Sequence, residues 1–132
     1  MEDITPKYLK KEAIENLNKK LVLPDLGPYS QDWEYELADS SKLIEFVTYY
    51  DKSILTIDEK FALMALIISS LDDYLSEGKL SDHLCDKVKY LLHKDFEIHK
   101  NKIIYWALEE VNVLEDCFAV TPFMREILEK HR

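Results

Sequence analysis

The sequence predicts an all-α single domain, a bundle of five or six helices around one buried central helix. Three observations carry that expectation. Only two residues are glycine, Gly27 and Gly78, while Leu, Ile, Lys and Glu are frequent, a composition that favours helices joined by short connections. A T-x-x-E capping box stands at Thr56 and Glu59. Apolar residues recur with helical spacing in one stretch after another. A chain of 132 residues is long enough to bury a real core, and one domain over residues 1–132 is expected.

Taken in order, the first helix is expected to open at Thr5, a competent N-cap, with Pro6 at the first helical position, where its missing N–H costs nothing. Leu9, Ala13 or Ile14, Leu17 and Leu21 follow at helical spacing, and Pro24 ends the run. Residues 22–39 read as the one long irregular segment, with Pro24, Gly27 and Pro28 in its first half. Its second half, Asp32 to Leu37, alternates weakly and is expected to be a short extended piece. A loop of that length in a small domain is usually functional.

A second helix should start between Asp39 and Ser41 and bury Leu43, Ile44, Val47 and Tyr50. The third opens at the Thr56 box, runs EKFALMALIISSLDDYL and stops before Gly78, a natural C′ residue. Phe61 to Ile68 is apolar on every face, so this helix is expected at the centre, with its core reaching Leu75. Ser81 caps a fourth helix carrying Leu84, Cys85, Val88, Leu91 and Leu92. A break is expected at Asp95 to Ile98. Ile103, Ile104, Ala107, Leu108 and Val111 make a fifth stripe. Thr121-Pro122 opens a last helix with Phe123, Met124, Ile127 and Leu128.

The net charge is −9, which argues against nucleic acid as a direct partner, because phosphates would be repelled. Cys85 and Cys117 lack a C-x-x-C spacing and read as buried free thiols of a reducing compartment. MEDITPKYLKK has no apolar core of a signal peptide, and Phe61 to Ile68 is far shorter than the ~20 residues of a membrane span. A cytoplasmic protein without a membrane segment is expected.

No phosphate loop, dinucleotide fingerprint, H-E-x-x-H or G-x-S-x-G is present. His93, Asp95, Glu97 and His99 are spaced two apart, and on a strand they would share a face suited to a metal. The surrounding apolar spacing is helical, so the stretch reads instead as a charged helix end with solvent-facing histidines, and no metal or cofactor is expected to be needed. Asp72 and Asp73 sit near the end of the central helix, where acids oppose the macrodipole. One member each of Tyr49-Tyr50 and Tyr105-Trp106 should pack inward.

The clearest functional signal is the segregation of charge. From Leu21 to Ser41 there is no Lys or Arg, yet Asp25, Asp32, Glu34, Glu36 and Asp39 occur, interleaved with Trp33 and Tyr35 and close to Tyr29. Acids beside large aromatics would attract a basic partner and anchor it. Trp33 could equally pin the segment to the core. Further acids without bases fall at Asp72, Asp73 and Glu77 and at Glu109, Glu110, Glu115 and Asp116, and whether they gather on one face is left open by sequence.

EKFALMALIISSLDDYL, with IIYWAL and TPFMREIL after it, resembles small helical bacterial immunity proteins of toxin–immunity systems over roughly the C-terminal two thirds. The resemblance carries over no catalytic residue. It implies a cytoplasmic protein that binds and blocks a toxin domain. The expected function is therefore a non-enzymatic inhibitor that covers the active site of a basic toxin, such as a nuclease, through Asp25, Asp32, Trp33, Glu34, Tyr35, Glu36 and Asp39, with Asp72 and Asp73 as a second contact. The alternatives are a regulatory homodimer and a metal-dependent enzyme using Asp72, Asp73, His93, Asp95 and His99.

Overall fold

The computed structural model describes residues 8–23, 33–79, 81–113, 115 and 117–131. All regular structure among them is helical: α1 (Lys11–Lys20), α2 (Trp33–Glu36), a 3-10 turn (Ser40–Lys42), α3 (Leu43–Lys52), α4 (Ile57–Ser76), α5 (Asp82–Lys94), α6 (Phe96–Ala107) and α7 (Thr121–Lys130). The chain is all-α, and no strand occurs among the described residues.

α4 begins as its sequence dictates. The Thr56 side chain accepts from the Glu59 backbone N–H at 3.1 Å, and the Glu59 carboxylate accepts from the Thr56 N–H at 3.0 Å. Two otherwise orphaned donors are thereby satisfied. Lys20 binds the same carboxylate at 3.2 Å and ties α1 to this end of α4. Every residue from Phe61 to Leu71 is buried. α4 packs against α1, α2, α3, the 3-10 turn and α6, while α6 and α7 pack on each other. Beyond Glu77, Gly78 turns left-handed at φ +79°, a conformation that glycine adopts without a Cβ penalty.

Several boundaries depart from expectation. The Thr5-Pro6 start lies outside the described residues, and α1 begins only at Lys11, after an extended Lys10 with no side-chain cap. Leu9 therefore precedes the helix instead of belonging to it. Asp32 lies outside the described residues, and the piece after it is not extended: Trp33–Glu36 form a helical turn. In α3 Leu43, Val47 and Tyr50 are buried as expected, but Phe46 takes the inward place given to Ile44, which faces solvent. α6 stops at Ala107 because Leu108 is left-handed, φ 44° and ψ 50°. Such a conformation in a non-glycine residue costs roughly 1–2 kcal/mol, and the Arg125 side chain offsets it. Its guanidinium donates to the carbonyls of Ala107, Leu108 and Val111, capturing groups that the broken helix leaves unpaired. Thr121 does not cap α7. Its hydroxyl donates to the Trp106 carbonyl at 2.8 Å, and the N-cap is Val120. Cys85 and Cys117 are free thiols but only half-buried.

Candidate protein-binding face

Trp33 is 2% exposed, and its indole N–H donates to Asn18 Oδ1 at 3.0 Å, fixing α2 against α1. Of the two roles open to Trp33, the structure gives it the pinning one. Glu34 is buried too. One carboxylate oxygen lies 3.5 Å from the Lys102 ammonium, itself largely buried over the Phe61 ring, and the other has no hydrogen-bond partner among the described residues. An acid neutralised in this way cannot rim an open interface. Because α2 is helical, Trp33 and Tyr35 do not share a face, and the two-residue spacing that would have paired them is undone.

Tyr35, in contrast, is 42% exposed. Its ring packs on Trp106 with centroids 6.0 Å apart, and its hydroxyl donates to that of Tyr105 at 3.3 Å. Tyr105 is 50% exposed and meets Trp106 edge-on. Phe118 closes the patch, stacked near Tyr105 at 6.2 Å and against Trp106 at 4.5 Å. The buried Trp106 is thus the floor, with two half-exposed tyrosines above it. Arg125 holds the loop that delivers Phe118, its Nη2 reaching both Val111 O and Cys117 Sγ.

The acids converge on one another, and one of them bonds the segment that carries Phe118. Asp72 Oδ1 accepts from the Val120 N–H at 3.0 Å, two residues from Phe118. Asp39 caps the 3-10 turn four residues after Tyr35, and its N–H donates to the buried Ser70 hydroxyl of α4 at 3.1 Å. Glu77 accepts from the Ser40 hydroxyl at 2.8 Å and pairs with Lys79 at 3.0 Å. Asp73, exposed between them, has its carboxyl pushed above the usual range by burial first and then by the charges of Asp72, Glu77 and Asp39. All four lie at the C-terminal end of α4, whose last turn has no base and whose dipole adds negative potential.

Of the residues expected in the interface, Tyr35 and Glu36 are exposed in α2, and Asp39 and Asp72 lie close enough to Asp73 for their charges to act on it. Trp33 and Glu34 are the buried residues of α2. Asp25 and Asp32 lie outside the described residues. Sequence reasoning missed Tyr105, Phe118 and Glu77 as members of the face. The one-inside, one-outside logic applied to Tyr105-Trp106 marks Tyr105 as outward, but only the fold brings it to Tyr35.

The proposed ligand run 93–99 does not form a common face. It spans the α5–α6 junction, with His93 turned to His131 and His99 turned inward to Tyr50. His99 is wholly buried, so it is not the solvent-facing residue expected. No group of three or more His, Cys, Asp or Glu side chains is placed to hold a metal ion among the described residues, and no described helix is long and apolar enough to cross a membrane. No protein-family model matches the chain, and comparisons with curated proteins and with solved structures return no match.

Proposed function

We propose that this chain is a non-enzymatic, protein-binding inhibitor, an immunity protein that neutralises a basic toxin domain in the bacterial cytoplasm. In this reading α4 is the hub of the bundle, and its C-terminal end, with α2, Tyr105 and Phe118, is the working face. The observation that supports it is the gathering of Asp39, Asp72, Asp73 and Glu77, with Asp72 bonded to the Val120 N–H two residues from Phe118 of the Tyr35–Tyr105–Phe118 patch. A cation approaching Asp73 relieves the repulsion among these carboxylates, so the face favours a basic partner and opposes a second copy of itself. Tyr35 and Tyr105 supply rigid, amphipathic anchors that lose little entropy on binding. On a nuclease toxin, the carboxylates would occupy the place of the substrate's phosphates.

The experiment pairs the purified chain with a basic toxin domain, taken from any toxin gene found next to its own. Tyr35→Ala with Tyr105→Ala should weaken binding by about 2 kcal/mol or more, some thirtyfold in Kd, mainly through faster dissociation. Both side chains are half-exposed, so the variant should melt close to wild type. Unchanged affinity in that variant would reject the face.

A further inference from the structure

We infer that His93 and His131 form a chelating site for one first-row divalent cation of the kind imidazole prefers, zinc, copper or nickel. The site is independent of the proposed binding face and joins the last turn of α5 to the residue that ends α7. His93 Nδ1 and His131 Nε2 face each other at 2.8 Å. Their rings stack at 5.0 Å between centroids, inclined by 24°. Phe96 lies flat on the far face of the site, its ring 3.8 Å from that of His131 and inclined by only 2°. The His131 imidazole is thereby oriented before any ligand arrives, as outer contacts orient metal-bound histidines.

The pair opens on a groove of about 320 Å³ lined by His93, Lys94, Asp95, Phe96, Glu97 and His131. A cation and its waters fit there. Glu97 contributes negative potential from the α6 side, while Asp95 is paired with Lys60, Glu126 is paired with Lys89 and Lys130, and Lys94 opposes. The hydrogen bond between the rings uses one proton. The acceptor ring already carries its own proton on its remote nitrogen, so moving the shared proton to the remote nitrogen of the donor ring (Nε2 if His93 donates, Nδ1 if His131 does) leaves both facing nitrogens with bare lone pairs and no net proton lost. Metal–nitrogen bonds of ~2.0–2.1 Å at a tetrahedral angle need nitrogens ~3.3 Å apart. The facing nitrogens must part by ~0.5 Å and the rings must turn until both lone pairs aim at the ion, a movement that falls to His131, exposed at the C-cap of α7. With two protein ligands the ion keeps water in its remaining positions, and it is an exchangeable staple between α5 and α7, not a requirement for folding.

Isothermal titration of the full chain, stripped with a chelator, with zinc alone at neutral pH tests the site, together with His93→Ala, His131→Ala and, as a control, His83→Ala. His83 is exposed in the first turn of α5. Saturable one-to-one binding is expected in wild type and His83→Ala, weakened about tenfold or more in each of the other two. Because His131 is exposed, its variant should retain the wild-type fold by circular dichroism. Absence of saturable binding in wild type, or equal binding in folded His131→Ala, would overturn the assignment.

Discussion

Mild acid should destabilise this protein through His99 before its carboxylates titrate. The imidazole is wholly buried, with Nε2 2.7 Å from the Tyr50 hydroxyl, and that hydroxyl donates to Asp95 Oδ2 at 2.8 Å. Burial, followed by the Asp95 hydrogen bond and charge, pushes the Tyr50 phenol well above its usual range, so it stays protonated. Since its one proton goes to Asp95, His99 must donate through Nε2, which leaves Nδ1 as a bare acceptor. Nδ1 has no hydrogen-bond partner among the described residues, so a proton added there would be a buried donor with nothing to receive it. Burial accordingly pushes His99 down to about 3, with Asp95 pulling weakly upward and Lys60 downward. The folded value lies below the unfolded value of 6.5, so stability is full above pH 6.5 and is lost as pH falls from there toward the folded value. From pH 6.5 to about pH 5 the loss is ~1.5 units at ~1.4 kcal/mol each, about 2 kcal/mol, a large part of a small domain's stability. Urea unfolding at about pH 7.5 and about pH 5 measures it in wild type and in His99→Gln, whose amide can still donate to Tyr50 but does not titrate. Changes in overall charge and in His93 are common to both proteins and cancel. Wild type should lose about 2 kcal/mol more than the variant. Equal losses would refute the buried, neutral His99.

Two further outcomes follow from burial. Leu66 is 0% exposed in the middle of α4, so Leu66→Asp should abolish cooperative unfolding by circular dichroism, whereas Leu66→Ala should leave a folded protein weakened by about 2–5 kcal/mol. Trp33→Ala should cost about 3–5 kcal/mol in denaturant unfolding, and Trp33→Phe, which removes the bond to Asn18 and part of the buried ring, about 1–3 kcal/mol; a neutral Trp33→Ala would contradict its pinning role.

Most of the fold was legible because its signals are local. The Thr56 box, the Ser81 cap, the Asp95 break and the turn at Gly78 each act within a few residues of themselves. Misreadings arose where a distant group overrode local preference. Leu108 adopts a conformation that glycine usually marks, and the reason is Arg125, seventeen residues on. Thr121 resembles an N-cap, but its hydroxyl is taken by Trp106 of the preceding helix. The candidate face was half legible. Acids and aromatics between Trp33 and Asp39 could be seen, as could Asp72 and Asp73. Which acid is neutralised and which is presented depends on Lys102 reaching Glu34, a pairing between residues far apart in the chain. Alternation alone could not separate Trp33 from Tyr35, because the backbone there turns as a helix.

The central claim rests on the acidic aromatic face, and the association rate with a basic toxin-domain partner at low and at physiological salt tests it most directly. Wild type should associate fast at low salt and slow markedly as salt rises. Asp73→Asn with Asp39→Asn should associate more slowly and show a flatter salt dependence, with little change in dissociation. Identical association rates and salt slopes in wild type and the double variant would contradict the account.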